Sequence, residues 1–195
     1  VTGVQTCALP IFLFADTGGE RPETYAYVAK VSAWCESVGF PAVVTVQNVG
    51  KYDSLEAECL GSATLPSIAY GFKRCSLKWK VAPQDKWANH WQPAIDAWVA
   101  GDKVAKAIGY HAGEEHRSVK AGDDKYTYRY FLREWQWHQE DCVAAVRRAG
   151  LEAAHKSACF FCPSTKSHEI LDLKDRHPGL LARALRIEDT ALATG

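Results

Sequence analysis

Four cysteines occupy positions where thiolate chemistry is to be sought. Cys159-Phe-Phe-Cys162 has the C-x2-C spacing that lets two thiolates reach one metal ion or cluster. That pair lacks ligands by itself, so Cys75, in Cys75-Ser-Leu-Lys-Trp-Lys-Val-Ala-Pro83, would have to approach it in space. A fourth donor would come from Cys59 first, then from Cys142 or His155. Three readings compete. Zinc wants a closed tetrahedral set, a [4Fe–4S] cluster wants four thiolates, and inert thiols can simply pack between Phe rings. A redox C-x-x-C is a further reading.

Two loops have the composition to hold phosphate or sulfate. Asp16-Thr17-Gly18-Gly19-Glu20-Arg21-Pro22-Glu23-Thr24 follows a short apolar run and opens a helix. Its glycines permit close backbone approach, and the helix start offers free N–H groups. Ile108-Gly-Tyr-His-Ala-Gly-Glu-Glu-His-Arg117 also follows an apolar run, and it ends in a guanidinium able to grip an oxyanion with two N–H groups. Neither G-x-x-x-x-G-K-[ST] nor G-x-G-x-x-G occurs.

The elements that must position these loops alternate. Strands are predicted over 12–15, 42–46, 104–109 and 126–132. Helices are predicted over 22–38, 54–60, 83–100, 140–149, 168–176 and 180–187. Pro22 suits a first turn and Gly39 a helix stop. Loops are expected over 61–74 and 112–124. Strands alternating with helices predict an α/β fold, a Rossmann-like parallel sheet with helices on both faces. Ligands of such sheets bind beyond the carboxyl ends of the strands. The loops 16–23, 47–52 and 110–117 are therefore where a ligand is expected.

Composition sets the frame. The chain has 195 residues, 47% apolar and 24% charged, with 23 basic and 23 acidic residues, as in ordinary globular proteins. That balance gives no support to a nucleic-acid-coating surface. No apolar run approaches the ~18 residues of a membrane span, and no signal peptide is evident. Seven irregularly spaced cysteines predict a reduced, cytoplasmic protein with a metal or redox site rather than a disulfide scaffold. The sequence contains no Met. Residues 1–11, Val-Thr-Gly-Val-Gln-Thr-Cys-Ala-Leu-Pro-Ile, read as the in-frame translation of a short-read sequencing adapter, as at the ends of metagenomic contigs. They are set aside as an artefact. Residues 12–195 are expected to form a single domain whose cysteine-bearing helical end spans about 150–195.

Taken in order, these segments resemble the PP-loop superfamily. Within it they are most similar to the phosphoadenosine-phosphosulfate-reductase-like proteins, in versions common in prophages. The likeness runs from residue 12 to about 189. Asp16-Thr-Gly-Gly-Glu-Arg-Pro-Glu-Thr24 fits the family's D-T-G-x-x-x-P-E-T run. Cys75 to Pro83 resembles its cysteine-basic-proline segment, and Gly109 to Arg117 its strand and loop ending in Arg. Leu132-Arg-Glu-Trp135 with Glu140-Asp141 resembles its Leu, Trp and acidic-helix segment, and Cys159 and Cys162 its late cysteine pair.

The resemblance implies an adenine nucleotide alpha-hydrolase-like sheet ordered 3-2-1-4-5. The family's S-G-G-x-D-S loop after strand 1 has no counterpart here, so the central first strand is expected to be missing. A chain made as written is then expected to be poorly stable and inactive. The implied substrate is ATP or an adenylyl-sulfate nucleotide, bound by Asp16, Thr17, Gly18, Glu23, Thr24, Lys78, Lys80 and Arg117. The implied centre is a [4Fe–4S] cluster or zinc on Cys75, Cys159, Cys162 and Cys59. A thiol reductant or nucleic acid would be a further partner, and a homo-oligomer is compatible. The parent would be a sulfonucleotide-reductase-like oxidoreductase or an ATP pyrophosphatase or transferase; no catalytic residue is assigned. Alternatives are an iron–sulfur sulfurtransferase acting on nucleic acid and a non-catalytic nucleotide-binding module. Two departures bear on this. Position 74 is Arg, where cluster-bearing reductases often have an adjacent cysteine, and the last residues lack the reductases' tail cysteine.

Overall fold

The computed structural model describes residues 9–66, 73–117 and 122–193. Most of the adapter-like stretch, part of the 61–74 loop and part of the 112–124 loop lie outside those residues. The protein is mixed α/β, and the chain divides into two compact units. One comprises Val1–Trp87 and Ala154–Gly195, the other Ala88–Ala153.

The first unit opens with a β-α-β run. Strand β1 (Leu13–Asp16) leads into α1 (Pro22–Ser37), which returns to β2 (Val44–Gln47). The two strands pair in parallel, from Leu13 against Val44 to Asp16 against Gln47. A parallel pair requires a crossover of this kind, since no tight turn can join it. Pro22 stands in the first turn of α1, where its missing N–H costs nothing. The helix ends in a Schellman motif. The Phe40 N–H donates to the Cys35 carbonyl and the Gly39 N–H to that of Glu36. Gly39 takes φ 86°, which a side chain would disfavour.

Helix α2 (Leu55–Ser62) is capped by Ser54, whose Oγ accepts from the Ala57 N–H at 3.1 Å. A short α3 (Arg74–Ser76) continues into a π-helical turn over Leu77–Val81 and then α4 (Ala82–Ala88). Pro83 gives a reason for the π-turn. It has no N–H for the Trp79 carbonyl and its ring crowds that oxygen, and a widened turn relieves both. The segment predicted as one helix over 83–100 is thus two, α4 and α5 (Gln92–Val99), parted where Trp91 is extended ahead of Pro93.

The unit closes with α8 (Ser167–Arg176) and α9 (Pro178–Leu192). Helix α9 packs on α2 and α8, and the π-turn packs on β1. Leu55, Cys59, Trp79 and Ile187 form the buried centre, bordered by Tyr52, Leu60, Cys75, Cys159 and Phe161.

The second unit pairs β3 (Val104–Ala107) with β4 (Tyr126–Arg129), again in parallel, and α5 packs on β3. The Trp98 indole N–H donates to the Lys125 carbonyl at 2.9 Å, and its ring meets Tyr126 edge-on at 5.8 Å. Helices α6 (Phe131–Glu134) and α7 (Gln139–Arg148) follow; Asp141 accepts from the His138 N–H at the start of α7. No helix of the described residues is long and apolar enough to cross a membrane.

Candidate functional site

The loop after β1 is fixed at nearly every residue. Asp16 ties three elements together. Its Oδ1 accepts from the Gly18 N–H and the Tyr25 hydroxyl, both at 2.8 Å, and its Oδ2 from Gln47 Nε2 at 3.0 Å. Burial, then the neighbouring Asp16 carboxylate, hold the Tyr25 phenol above its ordinary pKa, so it remains a donor. Gly18 has φ 71°, and a Cβ there would come within 2.5 Å of the Ser54 side chain. A Cβ on Gly19 would strike the Phe161 ring at 2.6 Å. The loop is therefore pressed between the cap of α2 and the Cys-x-x-Cys segment.

Three contacts clamp the loop to that segment. Thr17, 1% exposed, places Oγ1 3.1 Å from Cys159 Sγ. The Phe160 N–H donates to the Gly19 carbonyl at 2.8 Å. The fully buried Glu20 carboxylate accepts from Lys80 Nζ at 3.0 Å and from Ser157 Oγ at 3.2 Å. Burial opposes charge on Lys80, but the Glu20 carboxylate outweighs it and holds the ammonium above its ordinary pKa.

The remaining candidate residues divide. Glu23 lies away from Asp16, where its Oε1 pairs with His177 and with Arg176, each at 2.7 Å. Its Oε2 is buried with no hydrogen-bond partner among the described residues. Thr24 donates its N–H to the Arg21 carbonyl. Lys78 is paired with Glu58, which also accepts from the Trp79 indole at 2.5 Å. Arg117 belongs to the second unit, paired with Glu114 at 2.7 Å and lying 4.8 Å over the Tyr110 ring.

Three of the four candidate metal cysteines meet at one core. Cys59 is part of the buried centre, and Cys75 and Cys159 pack against it. Cys162 is one tight turn from Cys159, its N–H donating to the Cys159 carbonyl at 3.0 Å. Burial pushes both Cys59 and Cys159 up to about 11. At Cys159 the Thr17 hydrogen bond and Lys80 oppose that rise. As soft thiol donors around one core, the set fits zinc or an iron–sulfur cluster in kind. Among the described residues, no three His, Cys, Asp or Glu side chains stand in an arrangement that holds an ion.

Two cavities border this assembly. One, of about 470 Å³, lies at the carboxyl end of β2 and is lined by residues 47–53 with Ala57. The other, of about 280 Å³, opens between the starts of α1 and α8, with Cys159 in its wall. Sequence reasoning pointed to the first through the loop after β2. It missed the second cavity with Arg21 in its wall, and it missed the buried Glu20; both residues fall at unspecified positions of the D-T-G-x-x-x-P-E-T run.

No family model matches the chain, no curated protein matches it, and no solved structure matches it.

Proposed function

We propose that this protein is an adenine-nucleotide-binding enzyme of the phosphoadenosine-phosphosulfate-reductase-like type, with a Rossmann-like sheet, acting on ATP or an adenylyl-sulfate nucleotide. The observation that carries the reading is the junction at the carboxyl ends of β1 and β2. There Asp16 joins both strand ends through Gln47, beside an open cavity over residues 47–53. Parallel strands present ligands at that end. Strand pairing supports the same reading. In a sheet ordered 3-2-1-4-5, the strands other than the first pair as 3-2 and 4-5. The two parallel pairs β1–β2 and β3–β4 have that form.

In this reading the loop over residues 16–18 orients the nucleotide, and Lys78 and Lys80 of the same unit offset oxyanion charge. Lys78 and Lys80 already have carboxylate partners, Glu58 and Glu20. Cys59, Cys75, Cys159 and Cys162 would hold zinc or an iron–sulfur cluster, which supplies a rigid brace or an electron reservoir when bound.

Calorimetric titration with ATP and with adenosine 3′-phosphate 5′-phosphosulfate tests this. At least one is expected to bind, and Asp16→Ala is expected to weaken it ~10-fold or more, about 1.4 kcal/mol. Absence of binding by both nucleotides would overturn the reading.

A further inference from the structure

The two oxygens of Asp16 are unequally occupied. Oδ1 has two donors, the Gly18 N–H and the Tyr25 hydroxyl. Oδ2 has one among the described residues, Gln47 Nε2 at 3.0 Å, and that contact is open to solvent. A carboxylate oxygen accepts two hydrogen bonds, so Oδ2 has room for one more donor. Gln47 brings a second acceptor to the same place. A carboxylate only accepts, so the amide nitrogen must face Asp16, and this leaves Gln47 Oε1 as an acceptor beside it.

Two acceptors side by side match a vicinal diol, whose hydroxyls can both donate. The 2′- and 3′-hydroxyls of a ribose are such a pair, and an acidic side chain holds a ribose hydroxyl in dinucleotide-binding sheets. Charge points the same way. The cavity over residues 47–53 contains one cation, Lys51, and one carboxylate, Asp53, which cancel. Asp16, bonded to Gln47 in the cavity wall, adds a negative charge at its edge. A phosphate placed there would set two anions together, whereas a hydroxyl would donate to the carboxylate.

We infer that Asp16 and Gln47 hold the ribose through both of its free hydroxyls. The substrate is then ATP or an adenylyl sulfate with an unmodified ribose, and a 3′-phosphate on the ribose is rejected. This inference rests on the reading of an adenine nucleotide at the ends of β1 and β2, and it narrows the substrate class within that reading.

Calorimetry on the full chain compares ATP, 3′-deoxy-ATP, adenosine 5′-phosphosulfate and adenosine 3′-phosphate 5′-phosphosulfate. Adenosine 5′-phosphosulfate is expected to bind ~10-fold or more tightly than its 3′-phosphorylated form, and 3′-deoxy-ATP ~10-fold more weakly than ATP. Gln47 is exposed, so Gln47→Arg is expected to leave the melting temperature unchanged. Its guanidinium would accommodate the extra phosphate and narrow or reverse the preference between the two sulfonucleotides. A side chain with a purely structural role would change both affinities alike. Three results would overturn the inference while nucleotide binding itself stands: a 3′-phosphorylated form that binds as tightly as the unphosphorylated one, 3′-deoxy-ATP equal to ATP, or a Gln47→Arg variant with an unchanged ratio. Binding by none of the four ligands would overturn both this inference and the wider reading.

Discussion

The Thr17 hydroxyl oxygen lies 3.1 Å from the Cys159 sulfur, across a separation of 142 residues. This contact joins the loop after β1 to the Cys-x-x-Cys segment inside the fold, for Thr17 is buried. Thr17 also accepts from the Gly19 N–H at 3.3 Å, and its carbonyl receives the Leu55 N–H at 2.9 Å. One residue thus fixes the loop, the start of α2 and the cysteine segment. Thr17→Val keeps the shape but removes the acceptor from Gly19 and the partner from Cys159. A loss of about 1 kcal/mol is expected, or a melting temperature lower by about 2–4 °C. An unchanged melt would show that the contact contributes nothing.

Glu20 and Lys80 form a deeply placed ion pair of the first unit, the carboxylate fully buried and the ammonium about one-third exposed. Lys80→Met leaves the Glu20 carboxylate, among the described residues, with the Ser157 hydroxyl and is expected to cost about 3 kcal/mol. Adding Glu20→Gln removes the stranded charge and is expected to recover part of that loss. Chemical denaturation of the two variants measures both, and a double variant no more stable than Lys80→Met would contradict the assignment.

Glu23 makes stability sensitive to acid. Burial raises its pKa, but the His177 hydrogen bond and the charges of His177 and Arg176 outweigh it and hold the carboxyl below its ordinary 4.5. A depressed carboxyl stabilises the fold above that ordinary value, and the contribution is lost as pH falls through the folded value. Glu169, held down to about 2 by Lys156 and then by the Lys166 N–H, acts in the same direction. Melting temperature is therefore expected to fall on acidification below about pH 4.5, more steeply in the wild type than in Glu23→Gln. Parallel curves for the two proteins would contradict this role.

Thiol burial sets the pH dependence of any metal binding. Cys59 and Cys159, each raised to about 11, are protonated near neutrality and must release a proton to bind a metal. Zinc affinity, measured by competition with a chromophoric chelator, is expected to rise by about tenfold per pH unit for each proton released. An affinity that is flat from about pH 6 to 8 would show that these thiols are not the ligands.

The four strands were legible because short apolar runs stand next to turn residues: the first two start one or two residues later than predicted and run one residue further, to Asp16 and Gln47, and the last two stop early, at Ala107 and Arg129. Pro22 and Gly39 marked the limits of α1 through local chemistry alone. The break between α4 and α5 was not read, because Trp87, Trp91, Ile95 and Trp98 keep a helical spacing across it while Pro93 forces a restart. The π-turn was hidden for a related reason: Pro83 looks like a helix start, yet it sits inside a continuous helical run. Among the site residues, Asp16 and the two glycines were evident from the strand-to-helix turn. The roles of Thr17, Glu20 and Glu23 depend on Cys159, Lys80 and His177, all distant in sequence, and no local pattern announces such partners.

In the proposed reading an adenine nucleotide lies across the carboxyl ends of β1 and β2. Amide hydrogen exchange with and without ATP or adenosine 3′-phosphate 5′-phosphosulfate tests this placement. Nucleotide is expected to slow exchange over residues 16–24 and 47–53, and Asp16→Ala is expected to abolish that protection. Protection confined to other segments, or none at saturating nucleotide, would contradict the account.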